Sequence, residues 1–222
     1  MNTRLYRLLT QLLSRPTAPF REQQVMHYAQ SVLQRARIPH FFDPAGNLVI
    51  GCASPADYRA LLRRPDKEPV RLFIAHTDHP GFHGIRWLSS RRLLVKWHGG
   101  SPVKHLHGSR VWLANDIDIA GEGRIERATL LPSRRAIASA EVRLVRPLEK
   151  TCPATTLYGG FRFRAPVWRA GKRLYTQVAD DLIGVFAVLA TALTLYSGKR
   201  RVQPPFIGLL TRAEEVGFVG AI

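Results

Sequence analysis

The chain of 222 residues is 45% hydrophobic, enough for a sizeable core in one domain or in one domain with an insertion. Its net charge of +17 comes from 27 arginines and 6 lysines set against 16 acidic residues, but the arginines stand singly or in pairs with no aromatic-rich RNA-binding motif among them, which argues against a nucleic-acid-binding protein. Two cysteines, Cys52 and Cys152, exclude a disulfide framework and a cysteine metal site, and they fit a reducing, cytoplasmic setting.

In chain order, Leu5, Leu8, Leu9, Leu12 and Leu13 keep helical spacing and predict an amphipathic helix over 3–14, with charges inside its apolar pattern that do not suit a signal peptide. "SRPTAPF" breaks it, and Val25, Ala29, Val32, Leu33 and Ala36 predict a second helix over 20–37. "DPAGNLVIG" reads as a turn followed by a strand over 48–50, and a polar loop is expected over 53–69. "VRLFIA" (70–75) is short and nearly all apolar, the pattern of a strand covered on both faces. From about 86 to 170 the texture changes to short β-like runs such as "RLLVKW", "RVWLA" and "AEVRLVRP", separated by Gly, Pro and Ser. The longest uncharged apolar run, Leu182 to Tyr196, has 15 residues, short of the roughly 20 that span a bilayer, so it predicts a buried helix over 181–197 and no membrane association. "GKRRVQPP" breaks that helix, and "FIGLLT" (206–211) predicts another buried strand. The expected fold is α/β, a sheet flanked by helices with a small β-barrel-like unit inserted: residues 1–86 and 171–222 form the two parts of the α/β domain and 87–170 the insertion.

Three stations carry candidate chemistry, each at the end of a predicted buried strand or the start of a helix, where open α/β sheets place their sites. His76 and Asp78 are two apart, on one side of an extended segment, so the carboxylate is placed to orient or polarise the imidazole. A plain hydrogen-bonded pair is the alternative. Asp180 and Asp181 precede the apolar helix, where one of them suffices as an N-cap and a second near buried surface calls for a cation. Glu214 and Glu215 follow a buried strand, where two carboxylates repel unless a cation compensates or one is protonated; a solvated acidic turn is the alternative. Together the stations offer hard and borderline ligands suited to zinc, cobalt or manganese.

The ordered set resembles the co-catalytic metallopeptidases, and within them metallopeptidase family forty-two, the glutamyl, deblocking and tetrahedral aminopeptidases. "RPTAPFREQQV", "DPAGNLVIG", "HTDHPGF" and "EEVGFVGA" resemble its motifs, and the 104 residues between His76 and Asp180 leave room for the β-barrel insertion which that family carries there. The resemblance implies a zinc-aminopeptidase-like sheet and removal of amino-terminal residues from peptides through two divalent metal ions, zinc or cobalt. His76, Asp180 and Glu215 would bind metal, with Asp180 bridging and a cis peptide to Asp181 of the kind that metal sites can hold. Asp78 would orient or polarise His76, and Glu214 would act as general base or acid. It also implies a homo-oligomer built through the insertion. Leu182 stands where the family often has Arg, and His79-Pro80 replaces its common Glu-Ile. The seven residues after Glu215 hold neither the further carboxylate nor the distal histidine that the family uses, so the expectation is a chain truncated within its catalytic domain, with little or no activity of its own. Two alternatives stay open: a non-catalytic remnant that binds peptide, metal or a partner subunit, and a basic nucleic-acid-binding protein.

Overall fold

Leucines at helical spacing form the first element, and the computed structural model, which describes residues 3–64, 68–148, 152–197 and 204–221, shows what they cover. Helix α1 (Thr3–Leu13) buries Leu8, Leu9, Leu12 and Leu13 on one face. Helix α2 (Gln23–Arg35) adds Val25, Met26, Tyr28, Ala29, Val32 and Leu33 to the same core. The α/β sheet consists of β1 (His40–Phe42), β2 (Leu48–Ile50), β3 (Arg71–His76) and, from the far end of the chain, β12 (Phe206–Thr211), in the order β1-β2-β12-β3. Strand β12 runs antiparallel to β2 and parallel to β3. Helix α4 (Ala179–Leu195) lies against this sheet and buries Leu182, Val185, Val188, Leu189 and Ala192. Leu12 has no exposed surface; Leu12→Ala is expected to cost about 2–5 kcal/mol, read as a lower urea midpoint. Among the described residues no helix is long and apolar enough to cross a membrane.

Between β3 and α4 the chain builds a closed barrel from β4 (Gly81–Ser89), β5 (Arg92–His98), β6 (Arg110–Ala114), β7 (Ile119–Leu130), β8 (Ile137–Leu144) and β9 (Tyr158–Phe161), joined in the order β4-β5-β8-β7-β6-β9. Its interior holds a separate core that includes Phe82, Leu93, Val95, Trp97, Val111, Leu113, Ile125 and Val142. A hairpin, β10 (Val167–Ala170) with β11 (Arg173–Thr176), returns the chain to α4. The division at 86/87 and 170/171 remains a proposal; strand β4 crosses the first of these points.

Three features differ from the sequence expectation. Residues 53–69 are not a loop throughout: Pro55–Leu62 form helix α3, started by Ser54, whose hydroxyl accepts from the Asp57 N–H at 3.2 Å, with proline in the first turn. Strand β1 was not foreseen. And β3 is not covered on both faces. Among the described residues it has a strand partner on one side only, β12, and Leu72, Phe73 and Ile74 are 51%, 40% and 57% exposed. The helix break expected at 198–205 falls mostly on 198–203, outside the described residues.

One barrel feature predicts a pH effect. The His83 and His98 rings lie 4.4 Å apart. Burial first, then the His83 and Lys96 charges, hold His98 down at about 4. An unfolded histidine titrates near 6.5, so between those values the unfolded chain binds more protons, and folding stability falls as the pH falls. His98→Phe is expected to flatten the fall in urea midpoint between pH 7 and pH 5. An equally steep fall in the variant would refute the assignment.

Candidate active site

The pairing of β3 with β12 decides where the chemistry gathers. The strands are parallel with His76 level with Thr211, so both carboxyl ends open at one edge of the sheet. Beyond the strands the pairing continues: the Thr77 N–H and hydroxyl both reach the Thr211 carbonyl, at 3.0 and 2.8 Å. This brings His76 and Asp78 beside the turn that carries Glu214 and Glu215. Helix α4 packs on β3 and delivers its first turn to the same edge, with a cis peptide between Asp180 and Asp181.

His76 is the centre of the cluster. Its Nε2 lies 3.2 Å from Asp180 Oδ1 and 3.8 Å from Glu214 Oε2, and its Nδ1 lies 3.4 Å from Asp78 Oδ1. Asp78 has no exposed surface, and its two oxygens accept the backbone N–H groups of Glu214 at 3.0 Å and Glu215 at 3.1 Å. One carboxylate thus fixes both the imidazole and the glutamate pair. The two aspartates divide their work: Asp181 accepts the Gly184 N–H at 3.0 Å and the His76 N–H at 3.3 Å, acting as the helix cap, while the Asp180 side chain is 84% exposed and faces His76. The structure therefore gathers His76, Asp78, Asp180 and Glu214 around one ring. Glu215 joins through its backbone N–H.

The electrostatics show a surplus of negative charge. Burial alone would lower the His76 pKa, but the Asp78 carboxylate 3.4 Å away and the Glu214 and Asp181 charges outweigh it and push the ring up to about 9. Burial, and then the Asp78 and Glu214 charges, raise Glu215 to about 7. Among the described residues, no ion pair to lysine or arginine joins these carboxylates. Imidazole and carboxylate are the donors that borderline and hard divalent metals take, and the surplus charge is what such an ion compensates, so the residue types fit. No three of them stand as a ready-made metal cage among the described residues.

Two positioning residues escaped the sequence reading. Glu22, at the start of α2, has no exposed surface, yet its carboxylate reaches across the fold. It accepts the Phe20 N–H at 2.8 Å, the Ala213 N–H at 3.1 Å and Arg212 Nε at 3.0 Å. Burial outweighs the Arg212 charge and leaves its pKa raised. Ala213, held there at φ 52°, immediately precedes Glu214. Asn47, 3% exposed, accepts the Arg212 N–H at 3.2 Å and donates to the Gly220 carbonyl, with Asp43 bonding its N–H and amide at 2.8 Å each. The glutamate turn is thus pinned at both ends. Asn47→Ala leaves buried partners unmatched and is expected to cost about 1–3 kcal/mol. Faster amide exchange confined to residues 212–220 is the check.

No protein-family model matches the sequence, and no curated protein matches it. Solved structures do match in fold. A TET aminopeptidase from a marine sediment Thaumarchaeota archaeon superposes with a TM-score of 0.71 at 17% identity, over 98% of this chain and 61% of that one. An aminopeptidase from Desulfurococcus kamchatkensis gives 0.68 at 21% identity, over 96% of this chain and 57% of that one. The TET1 peptidase of Pyrococcus horikoshii gives 0.66 at 18% identity, over 98% and 63%. The chain spans about three fifths of the length of these structures, and over that span it has the fold of the TET aminopeptidases.

Proposed function

We propose that the cluster around His76 is the site of a metal-dependent aminopeptidase of metallopeptidase family forty-two. The observation that carries this reading is the convergence of His76, Asp180 and Glu214 at the carboxyl ends of two parallel strands, with Asp78 buried behind them, in a fold shared with aminopeptidases. His76, Asp180 and Glu215 are the residues to hold divalent metal, zinc or cobalt. When bound, the metal polarises a peptide carbonyl and acidifies water. Glu214 takes the proton from the attacking water and returns it to the departing amine. Asp78 keeps the His76 ring and the glutamate backbone in register. The substrate is a peptide with a free amino terminus. The assembly proposed is a homo-oligomer; the TET1 peptidase of Pyrococcus horikoshii assembles into a tetrahedron or a large octahedral shell.

The test is release of the first residue from unblocked peptides with zinc, cobalt or no metal added. Metal-dependent release is expected of a chain of the full length of the matched structures, and there Glu214→Gln is expected to lower kcat/KM at least about 100-fold; the 222 residues, which span about three fifths of that length, are expected to release little or nothing on their own. A second reading is a chain that binds metal or peptide without turnover, since it spans about three fifths of the length of the matched structures. Metal binding without release of any residue would establish that reading instead.

A further inference from the structure

A cavity of about 290 Å³ opens beside the cluster, between the barrel and the α/β domain. Residues next to two of the three stations line it, and a barrel segment that touches the third completes the wall. His79 and Pro80 follow directly on Asp78, and Gln177 and Val178 lead into Asp180. Gly100 and Ser101 follow Gly99, which is wedged against Glu215: a Cβ built on Gly99 would stand 3.2 Å from both Glu215 Cβ and Pro80 Cβ. His79 is tied to the cluster by a 2.8 Å hydrogen bond from its Nδ1 to the Asp180 carbonyl.

The lining is mostly apolar, with His79, Ser101 and Gln177 as its polar members. Trp97, Phe161 and Phe163 form its aromatic wall, with the Trp97 and Phe161 rings 4.8 Å apart. Trp97 is anchored by its indole N–H, which donates to the Gly100 carbonyl at 3.2 Å. No aspartate, glutamate, lysine or arginine is among the described residues that line the cavity. An ionic side chain placed there would lose its water and gain no partner of opposite charge. An apolar one gains by leaving water. The net charge of +17 is therefore carried elsewhere and does not set what this cavity accepts.

We infer that the cavity receives the side chain of the substrate's amino-terminal residue and selects large apolar residues, aromatic or branched aliphatic, over acidic and basic ones. This rests on the aminopeptidase reading for the position of the residue and on the lining alone for its class. Volume and adjacency fit together: His79, which lines the cavity, bonds the Asp180 carbonyl, and Gly99, next to the lining Gly100, packs against Glu215.

Gly100 provides the test. Nothing lies within 4 Å of a Cβ built on it, and its backbone is not left-handed, so a side chain there projects into open space without strain. The experiment is calorimetric binding of Phe-Ala-Ala, Glu-Ala-Ala and Lys-Ala-Ala to the metal-free chain, where no turnover intervenes. The phenylalanyl peptide is expected to bind at least about tenfold more tightly than the other two. In Gly100→Trp that ratio is expected to collapse towards one. Phe163 is 55% exposed, so Phe163→Arg leaves the core intact; it is expected to invert the ratio in favour of the glutamyl peptide. Equal binding of the three peptides, or a preference that survives both substitutions, overturns the inference. Rates with added metal, measured on a chain of the full length of the matched structures, separate it from the aminopeptidase reading. Equal kcat/KM for all three peptides would refute the pocket and leave that reading standing. A phenylalanyl preference in binding with no turnover under any metal would support the pocket and refute that reading.

Discussion

Asp78→Ala is expected to lower stability by about 3–5 kcal/mol and, in a chain of the full length of the matched structures, kcat/KM by at least about 100-fold. The residue has no exposed surface and three dependants: the His76 ring and the N–H groups of Glu214 and Glu215. Removal leaves two partly buried N–H groups without acceptors and frees the turn that carries the base. A readout specific to the pairing is the His76 titration. Asp78 is the largest of the influences that raise that ring to about 9, so in the variant the NMR midpoint of His76 is expected to move down. Asp78→Asn keeps the shape and one acceptor, and is expected to fall between the two. The pH dependence has a fixed sign. Burial alone would raise the Asp78 pKa, but the His76 ring 3.4 Å away and the two N–H groups hold it below the usual 3.8. Its contribution is thus present above that unfolded value and is lost as the pH falls below it. Wild-type stability that fell no faster than that of Asp78→Asn below pH 4 would contradict this assignment.

Glu22→Ala carries the second large effect. The carboxylate is fully buried and bonds Phe20, Arg212 and Ala213, so deletion leaves two N–H groups and a partly buried guanidinium unmatched. A loss of about 3–5 kcal/mol is expected. Glu22→Gln still accepts from both N–H groups but turns a donor towards Arg212 Nε, and is expected to lose about 1–3 kcal/mol. Because Glu22 acts through the turn, both variants should slow any turnover through kcat rather than KM. Denaturant midpoints and the kcat–KM split check both parts. A KM effect alone would assign Glu22 to substrate binding.

Much of the cluster was legible in the sequence because its residues declare themselves. A histidine, paired aspartates and paired glutamates at the ends of apolar runs are costly unless they serve something. The helical leucine spacing of α1 and the alternating short runs of the barrel were legible for the same reason: each pattern is local. What stayed hidden depends on distant partners. Glu22 finds Arg212 190 residues away, and Asn47 finds Gly220 173 residues away; neither distance leaves a mark on the local sequence. The exposure of β3 was hidden because an apolar strand looks alike whether or not a neighbour covers it. Helix α3 was missed because its Ser54-Pro55 start lies in a polar stretch. The division of labour between Asp180 and Asp181 needed the structure, since either type of residue caps a helix.

The claim that this cluster is a metal site is tested most directly by calorimetric titration of zinc into the 222-residue chain and into His76→Ala at pH 7.5. His76 holds its proton up to about 9, so metal binding must displace it. The expected result is saturable binding whose heat varies with buffer ionisation enthalpy, showing proton release, and which disappears in His76→Ala. Absence of binding, or equal binding by the variant, would contradict the claim.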